Sequence, residues 1–339
     1  MQKNTQGVSS ATFNTRFLNK KRVVQAVLVG SLVSGVWIVA TVPVSSQAIG
    51  PILAGSSPET TKILFVGDVM LDRSIRSAIN RNGSTYVFGG VAPLLHSVDF
   101  VVGNLEGPIT NNDSTSFGSE IGAPDNYVFT FPTTTPELLA SYGFGLVSIG
   151  NNHIFDFGKE GVTETTTYLS DGGLSFVGDP LAVTPPVVVK NSNGIRIAFL
   201  AYNDFVGQDL AALTDAIRVT RASGVDVVVV LAHWGVEYVP EPPARVRTIA
   251  EQLAKAGADI VIGTHPHVIE PFEDIQNGSR TTRVYYSLGN FIFDQWFSPQ
   301  VQCGLTVEAT FTKSTTVHIA YKTTRVGLRK GGATVVGCN

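Results

Sequence analysis

The sequence predicts an α/β fold in which parallel strands alternate with helices and deliver chemistry at their carboxyl ends. Short apolar runs recur along the chain, each followed closely by Asn, Asp or His. Between several of them lie stretches with apolar residues at helical spacing, the alternation expected of an α/β domain with ligands gathered at strand ends. Composition agrees: 43% hydrophobic and 15% charged residues supply a core and exclude disorder over most of the 339-residue chain.

Read in order, the chain divides into a basic N-terminus (1–22), an apolar span (23–44), a stalk (45–61) and one large domain (62–339). The span carries no charge and is long enough to cross a bilayer core of about 30 Å as a helix. Lys20, Lys21 and Arg22 precede it immediately, and cations on that flank hold the N-terminus in the cytoplasm. The expectation is therefore a single-pass cell-membrane protein with its C-terminal domain extracytoplasmic. Ser46-Gln47-Ala48 also resembles a cleavage site, so secretion after cleavage near Ala48 is the alternative. The apolar run exceeds the roughly 7–15 residues of an ordinary signal core, which favours an uncleaved anchor.

Beyond residue 50, 19 basic residues face 27 acidic ones, a net of −8. A domain of that sign without a basic stripe does not bind nucleic acid by neutralising phosphates. The first expected strand, 62–67, reads Lys-Ile-Leu-Phe-Val-Gly, an apolar run suited to burial on both faces. Further runs at 100–103, 144–150, 195–202, 225–232, 260–263 and 284–288 follow the same grammar, and helices are expected at 161–170, 210–221 and 245–256. Residues 111–126, rich in Ser, Gly, Asn and Asp, read as a loop. The Thr- and Val-rich tail, 306–339, is expected to add edge strands. The two cysteines, Cys303 and Cys338, either bridge and pin the tail or stand as free thiols.

Four of the six histidines, His153, His233, His265 and His267, stand just after apolar runs, where strands would deliver them to one rim. Asp68, Glu106 and Asn152 occupy equivalent positions. Taken singly, each histidine reads more readily as a core or surface residue satisfied by backbone. Together they form a pool of carboxylate, amide and imidazole donors without thiolate, which suits manganese, iron or zinc. His265 and His267 are two apart, which on extended backbone turns both rings the same way, so that each addresses one of two adjacent metals.

Six ordered motifs carry a family resemblance: Gly67-Asp68-Val69-Met70-Leu71-Asp72-Arg73, Gly103-Asn104-Leu105-Glu106-Gly107-Pro108, Gly150-Asn151-Asn152-His153, Ala232-His233-Trp234-Gly235, His265-Pro266-His267 and Ser287-Leu288-Gly289-Asn290-Phe291. Over about residues 62–294 the chain resembles the CapA-type proteins tied to poly-gamma-glutamate capsule biosynthesis, a branch of the calcineurin-like metallophosphoesterases. That resemblance implies a sandwich of two mixed sheets flanked by helices, with two divalent metal ions at strand ends. It implies Asp68, Glu106 and His267 on the first ion, with Glu106 bridging, and Asn152, His233 and His265 on the second. His153 would face the substrate as general acid. Asp156 either orients that imidazole or caps a helix.

The chain departs from the family pattern at Met70, where calcineurin-like enzymes carry a histidine, and at Glu106, where they carry an Asp. Water or Asp72 would have to complete the first ion. Arg73 and Trp234 are weaker candidates for contact with substrate, each balanced by a salt bridge or by loop packing. Asn290 is expected to hold the site together through backbone hydrogen bonds. Two functions follow: a metal-dependent hydrolase acting outside the cell on an anionic substrate or cell-envelope polymer, or a non-catalytic accessory subunit partnered with membrane capsule-synthesis subunits.

Overall fold

Apolar runs that lack an alternating polar face become strands covered on both sides. The computed structural model describes residues 59–329, 332–334 and 338, so the expected membrane span and most of the stalk lie outside the described residues. Among the described residues no helix is long and apolar enough to cross a membrane. The chain begins with β1 (Glu59–Val69), α1 (Arg73–Asn82), α2 (Ser84–Phe88), α3 (Ala92–Leu95), β2 (Phe100–Leu105), α4 (Thr135–Ser141), β3 (Phe144–Ser148), α5 (Gly158–Asp171) and β4 (Ser175–Val177). A second group comprises β5 (Val188–Ser192), β6 (Ile195–Asn203), α6 (Leu210–Ala222), β7 (Val227–His233), α7 (Ala244–Ala256), β8 (Ile260–Thr264), β9 (Phe272–Asn277) and β10 (Arg280–Tyr285). The chain then returns to the first sheet with β11 (Asn290–Ile292), β12 (Cys303–Lys313), β13 (Val317–Arg329) and β14 (Gly332–Thr334).

The first sheet runs β14-β13-β12-β1-β2-β3-β4, with β11 also beside β1, and the second runs β5-β6-β7-β8-β10-β9. Both are mixed. Strands β1 to β4 are parallel while β12 opposes β1. In the second sheet β6, β7, β8 and β10 are parallel, with antiparallel β5 and β9 at the edges.

Alternation along β1 explains the layering. Ile63 and Phe65 pack between the sheets against Phe199, Val229 and Ile262. Leu64 and Val66 point the other way, into a cluster with Ile75 of α1 and Val162 and Leu169 of α5. On the far side, Leu200, Val230 and Val261 meet Leu213 and Ile217 of α6 and Val246 and Leu253 of α7. Each such aliphatic side chain contributes about 1.5–3 kcal/mol on burial, so the helix, sheet, sheet, helix order is fixed by apolar area.

The tail extends one side of the first sheet as expected, with β14 at its edge, but not all of its strands are edge strands. Strand β12 lies inside the first sheet between β1 and β13, because Val307, Ala309 and Phe311 are needed in the core between the sheets. The run 284–288 also divides: β10 stops at Tyr285, and the chain turns through Gly289 (φ 67°) into β11. Of the two readings for the cysteines the structure has the bridge, with Cys303 and Cys338 joined and their Cα atoms 5.9 Å apart. Gly67 allows the end of β1 to meet that turn. A Cβ there would fall 1.8 Å from the Gly289 carbonyl oxygen, and the next residue, Asp68, donates its N–H to that same oxygen at 3.1 Å.

Candidate metal centre

Parallel strands of both sheets end on one rim. Asp68 is the penultimate residue of β1, Glu106 directly follows β2, His233 ends β7, and His265 and His267 follow β8. All five side chains are buried. The imidazoles of the last pair are not aimed by extended backbone, which corrects the expectation: φ is +99° at His265 and +58° at His267. Non-glycine residues in such conformations cost about 1–3 kcal/mol each and persist where surrounding structure over-determines them.

The first half of the centre is anionic. One ligand atom from each of Asp68, Glu106 and His267 lies within 4.8 Å of the others. Asp68 accepts from the Asn104 amide at 2.8 Å and lies 3.2 Å from His267 Nδ1. Burial pushes its carboxyl up, but the hydrogen bond and charge of His267, helped by His233 and Asn104, outweigh burial and hold it below the ordinary range. Glu106 moves the other way, raised first by burial and then by the charge of Asp68. Its Oε1 has no hydrogen-bond partner and faces His267 Nε2 at 3.5 Å. The Asn290 amide donates to Gln295 and to the Val301 carbonyl, so its Oδ1 is free to accept from His267 Nδ1 at 2.9 Å. That leaves the Nε2 lone pair turned to the orphaned Glu106 oxygen.

The second half is neutral. His233 Nδ1 lies 3.0 Å from the Thr264 hydroxyl, which also reaches the Ala232 carbonyl at 3.2 Å, and 3.3 Å from the Asn104 amide nitrogen. His233 Nε2 in turn lies 2.8 Å from Asn152 Oδ1, which brings an imidazole nitrogen and an amide oxygen together at one point of the rim. His265 Nδ1 is buried without a partner, and its ring stands 4.9 Å from that of His233 under the Phe205 ring at 4.2 Å. Burial, then the charge of His267, lowers His265 to about 4, while burial and the charge of His265 lower His233 well below its usual value. Both imidazoles are in the neutral form that binds metal. The orphaned Glu106 oxygen on one side and the neutral His233 and His265 imidazoles on the other make the residues present fit a cation site of oxygen and nitrogen donors.

His153 stands at the rim. Its Nδ1 pairs with Asp156 Oδ2 at 2.9 Å, and that oxygen also accepts the Phe129 N–H at 2.7 Å. Asp156 therefore orients the imidazole. It does not cap α5, whose N-cap position is Phe157 with no side-chain bond. The His153 ring rests on Phe129 with centroids 4.3 Å apart.

Several expectations fail for physical reasons. Asp72 does not complete the first half: its carboxylate caps α1 through Arg73 N and is shared among Arg76, Ser114 and the Thr130 N–H. Met70, in the position of the missing histidine, is fully buried, and its sulfur accepts the Asp72 N–H at 3.1 Å. Trp234 is a core residue, wholly buried, with its indole N–H bound to the Tyr286 carbonyl at 2.9 Å, so it cannot line a substrate groove. Arg73 is already spent, paired with Asp294 and lying over the Phe129 ring at 4.9 Å. Sequence reasoning overlooked Asn104 and Thr264, which orient Asp68 and His233. For Asn104 a signal existed, since it lies two residues before Glu106 and so shares its face at the end of a strand.

The model of the bacterial capsule synthesis protein PGA_cap family matches residues 62–295. The chain belongs to this family. Among curated relatives of this PGA_cap protein, the capsule biosynthesis protein CapA of Bacillus anthracis is 31% identical over 81% of this chain and 70% of that protein. The PGA biosynthesis protein CapA of Bacillus subtilis (strain 168) is 32% identical over 70% of this chain and 65% of that protein. The chain thus spans about two thirds of the length of these relatives. Among solved structures, a calcineurin-like phosphoesterase of Bacillus subtilis aligns with a TM-score of 0.43 at 14% identity, covering 79% of this chain and 90% of that one, a likeness too distant to carry weight.

Proposed function

We propose that this PGA_cap domain is a hydrolase of a phosphoester or related bond that uses two divalent ions, manganese, iron or zinc, outside the membrane in capsule or cell-envelope polymer synthesis. The observation that carries the reading is the buried Asp68, Glu106 and His267 group with its orphaned Glu106 oxygen. Next to it stand Asn152 and His233, 2.8 Å apart, and His265, whose buried Nδ1 has no partner. Such ions supply a nucleophilic water of lowered pKa and neutralise charge on the phosphoryl oxygens. Asp68, Glu106 and His267 would hold one ion, and Asn152, His233 and His265 would hold the other.

The chain's own residues do the rest. Asn290 orients the His267 ring through Nδ1, and Thr264 orients that of His233. His153, held at Nδ1 by Asp156, offers Nε2 to protonate the leaving oxygen. Phe205 covers the two neighbouring imidazoles and limits water there. The apolar span at 23–44 would anchor the domain in the cell membrane, where an envelope polymer is at hand.

A second reading is an accessory subunit without turnover, favoured by Met70, which leaves the first half one imidazole short of the resembling enzymes. A relative from Mycobacterium tuberculosis (strain ATCC 25618 / H37Rv), 27% identical over 48% of this chain, carries the name probable polyglutamine synthesis accessory protein. Metal analysis of the purified full-length chain together with a phosphoester substrate screen separates the two. Two ions per chain with turnover supports the hydrolase, and a metal-free, inert protein supports the accessory role.

A further inference from the structure

A cleft of about 700 Å³ opens between α1, the loop of residues 116–127, and residues 294–297, with Tyr238 on its wall. That volume is within the range of small-ligand sites, roughly 300–1,000 Å³. The cleft adjoins the metal centre. Tyr238 stands with its ring 6.0 Å from that of His267, and its hydroxyl accepts from Gln295 at 3.1 Å. Gln295 in turn accepts from Asn290, the residue that orients His267. A single chain of hydrogen bonds thus leads from the cleft wall to a candidate ligand. Tyr238 also holds φ +64°, strained for a non-glycine residue and therefore a conformation the surroundings impose.

The lining selects the occupant. Tyr86, Phe117, Tyr127, Tyr238 and Phe297 are each at least 41% exposed along this one concavity, where isolated exposed aromatics would be unremarkable. Neutral hydroxyls and amides, including Ser77, Ser119 and Asn126, fill the gaps between rings. Of the three charged side chains on the walls, Arg73 and Asp294 neutralise each other, and Arg81 makes no ion pair among the described residues. One free cation in a domain of net negative charge does not hold a polyanion. A peptide bound by strand addition would need a strand edge, and the walls are helix and loop. Exposed rings that meet CH faces, with hydroxyl partners between them, fit a sugar chain.

We propose that this cleft binds a saccharide, neutral or with isolated acidic groups that Arg81 meets, and presents it to the metal centre. The proposal rests on the hydrolase reading only in taking the cleft to serve that centre. Calorimetry on the detergent-solubilised full-length chain, stripped of metal with EDTA, tests it with chitotetraose and tetraglutamate as probes. Chitotetraose is expected to bind saturably and tetraglutamate not at all. Phe297→Ala should weaken chitotetraose about 3- to 10-fold, the worth of one aromatic contact. Ser77→Trp, which fills the cleft, should abolish binding with the circular dichroism spectrum unchanged. No chitotetraose binding at 10 mM, or binding that Ser77→Trp leaves intact, overturns the proposal. So does binding of tetraglutamate in its place. Because no turnover or metal enters this measurement, a failed phosphoester screen leaves its outcome standing, and a failed titration leaves the hydrolase reading standing.

Discussion

Asp68, Glu106 and His267 form one half of the centre, anionic and wholly buried, while Asn152, His233 and His265 form the other from neutral donors partly covered by the half-exposed Phe205. The same rim of strand ends thus solves the problem of buried polar atoms twice. In the anionic half the two carboxylates are pushed apart in acidity, with Asp68 held below its ordinary range by His267 against burial and Glu106 raised by burial and by the charge of Asp68. In the neutral half burial has already removed the proton from both imidazoles. The difference teaches that only the first half has a charge to attract a cation, so it should fill first and the second should depend on it.

The largest effect expected tests whether the two halves serve one reaction. His153→Ala should keep both ions and lose about 10²- to 10⁴-fold in phosphoesterase rate, least for leaving groups that need no proton. Loss of metal from this variant would make His153 a ligand instead. Next, Asp68→Asn should weaken Mn²⁺ binding more than about 100-fold, because outer-shell partners alone are worth about 10- to 100-fold. His265→Ala should remove one ion and leave the other. Equal metal loss in these two variants, read by elemental analysis, would dissolve the distinction between the halves. Asn290→Ala, acting through the His267 tautomer, should cost about 10- to 100-fold in affinity at the anionic half only.

Acidity separates the halves further. Glu106 lies well above its ordinary value, so cation binding there must displace a proton, and affinity should rise with pH until that carboxyl is ionised. His265, at about 4, is neutral throughout the range from pH 5 to 8, so the affinity of the neutral half should be flat across it. Titrations of Mn²⁺ at several pH values with His265→Ala and wild-type chains check this, and a flat profile for the anionic half would refute it.

The smallest effect comes from Glu270, a carboxylate buried like Glu106 but outside the cluster of candidate ligands. Neither of its oxygens has a partner, and burial, then Glu241, pushes it up to about 8. Its folded pKa exceeds its unfolded value near 4.5, so the folded chain binds more protons and stability falls as pH rises from about 4.5 to about 8. Glu270→Gln should remove that slope and raise Tm at pH 8 by about 2–4 °C, roughly 1 kcal/mol, with metal stoichiometry unchanged. If the variant altered metal content, Glu270 would belong to the centre after all.

Strands with both faces buried were legible because their apolar runs have no competing reading, as at 195–202 and 225–232, and each ended on a residue that reaches the rim. Helix α1 was not legible, since only Ile75 and Ala78 among its ten residues are buried and, apart from the half-buried Ile79, the rest are polar. The candidate ligands could be read off strand ends, but Asp72 and Asp156 could not be assigned without their partners. One is consumed by Arg76, Ser114 and the Thr130 N–H, the other is fixed on His153 by the Phe129 N–H.

The sequence alone determined the α/β alternation, the polar residues delivered at strand ends and the family to which they belong, because periodicity and motif order are local properties of the chain. Tertiary structure alone decided that β12 enters the middle of the first sheet, that Trp234 is core, that Cys303 meets Cys338 and that the six candidate ligands divide into an anionic and a neutral half. Those outcomes depend on which distant groups share a buried volume. Desolvation and pairing there set each group's charge and each ring's tautomer, and neither is encoded in spacing along the chain.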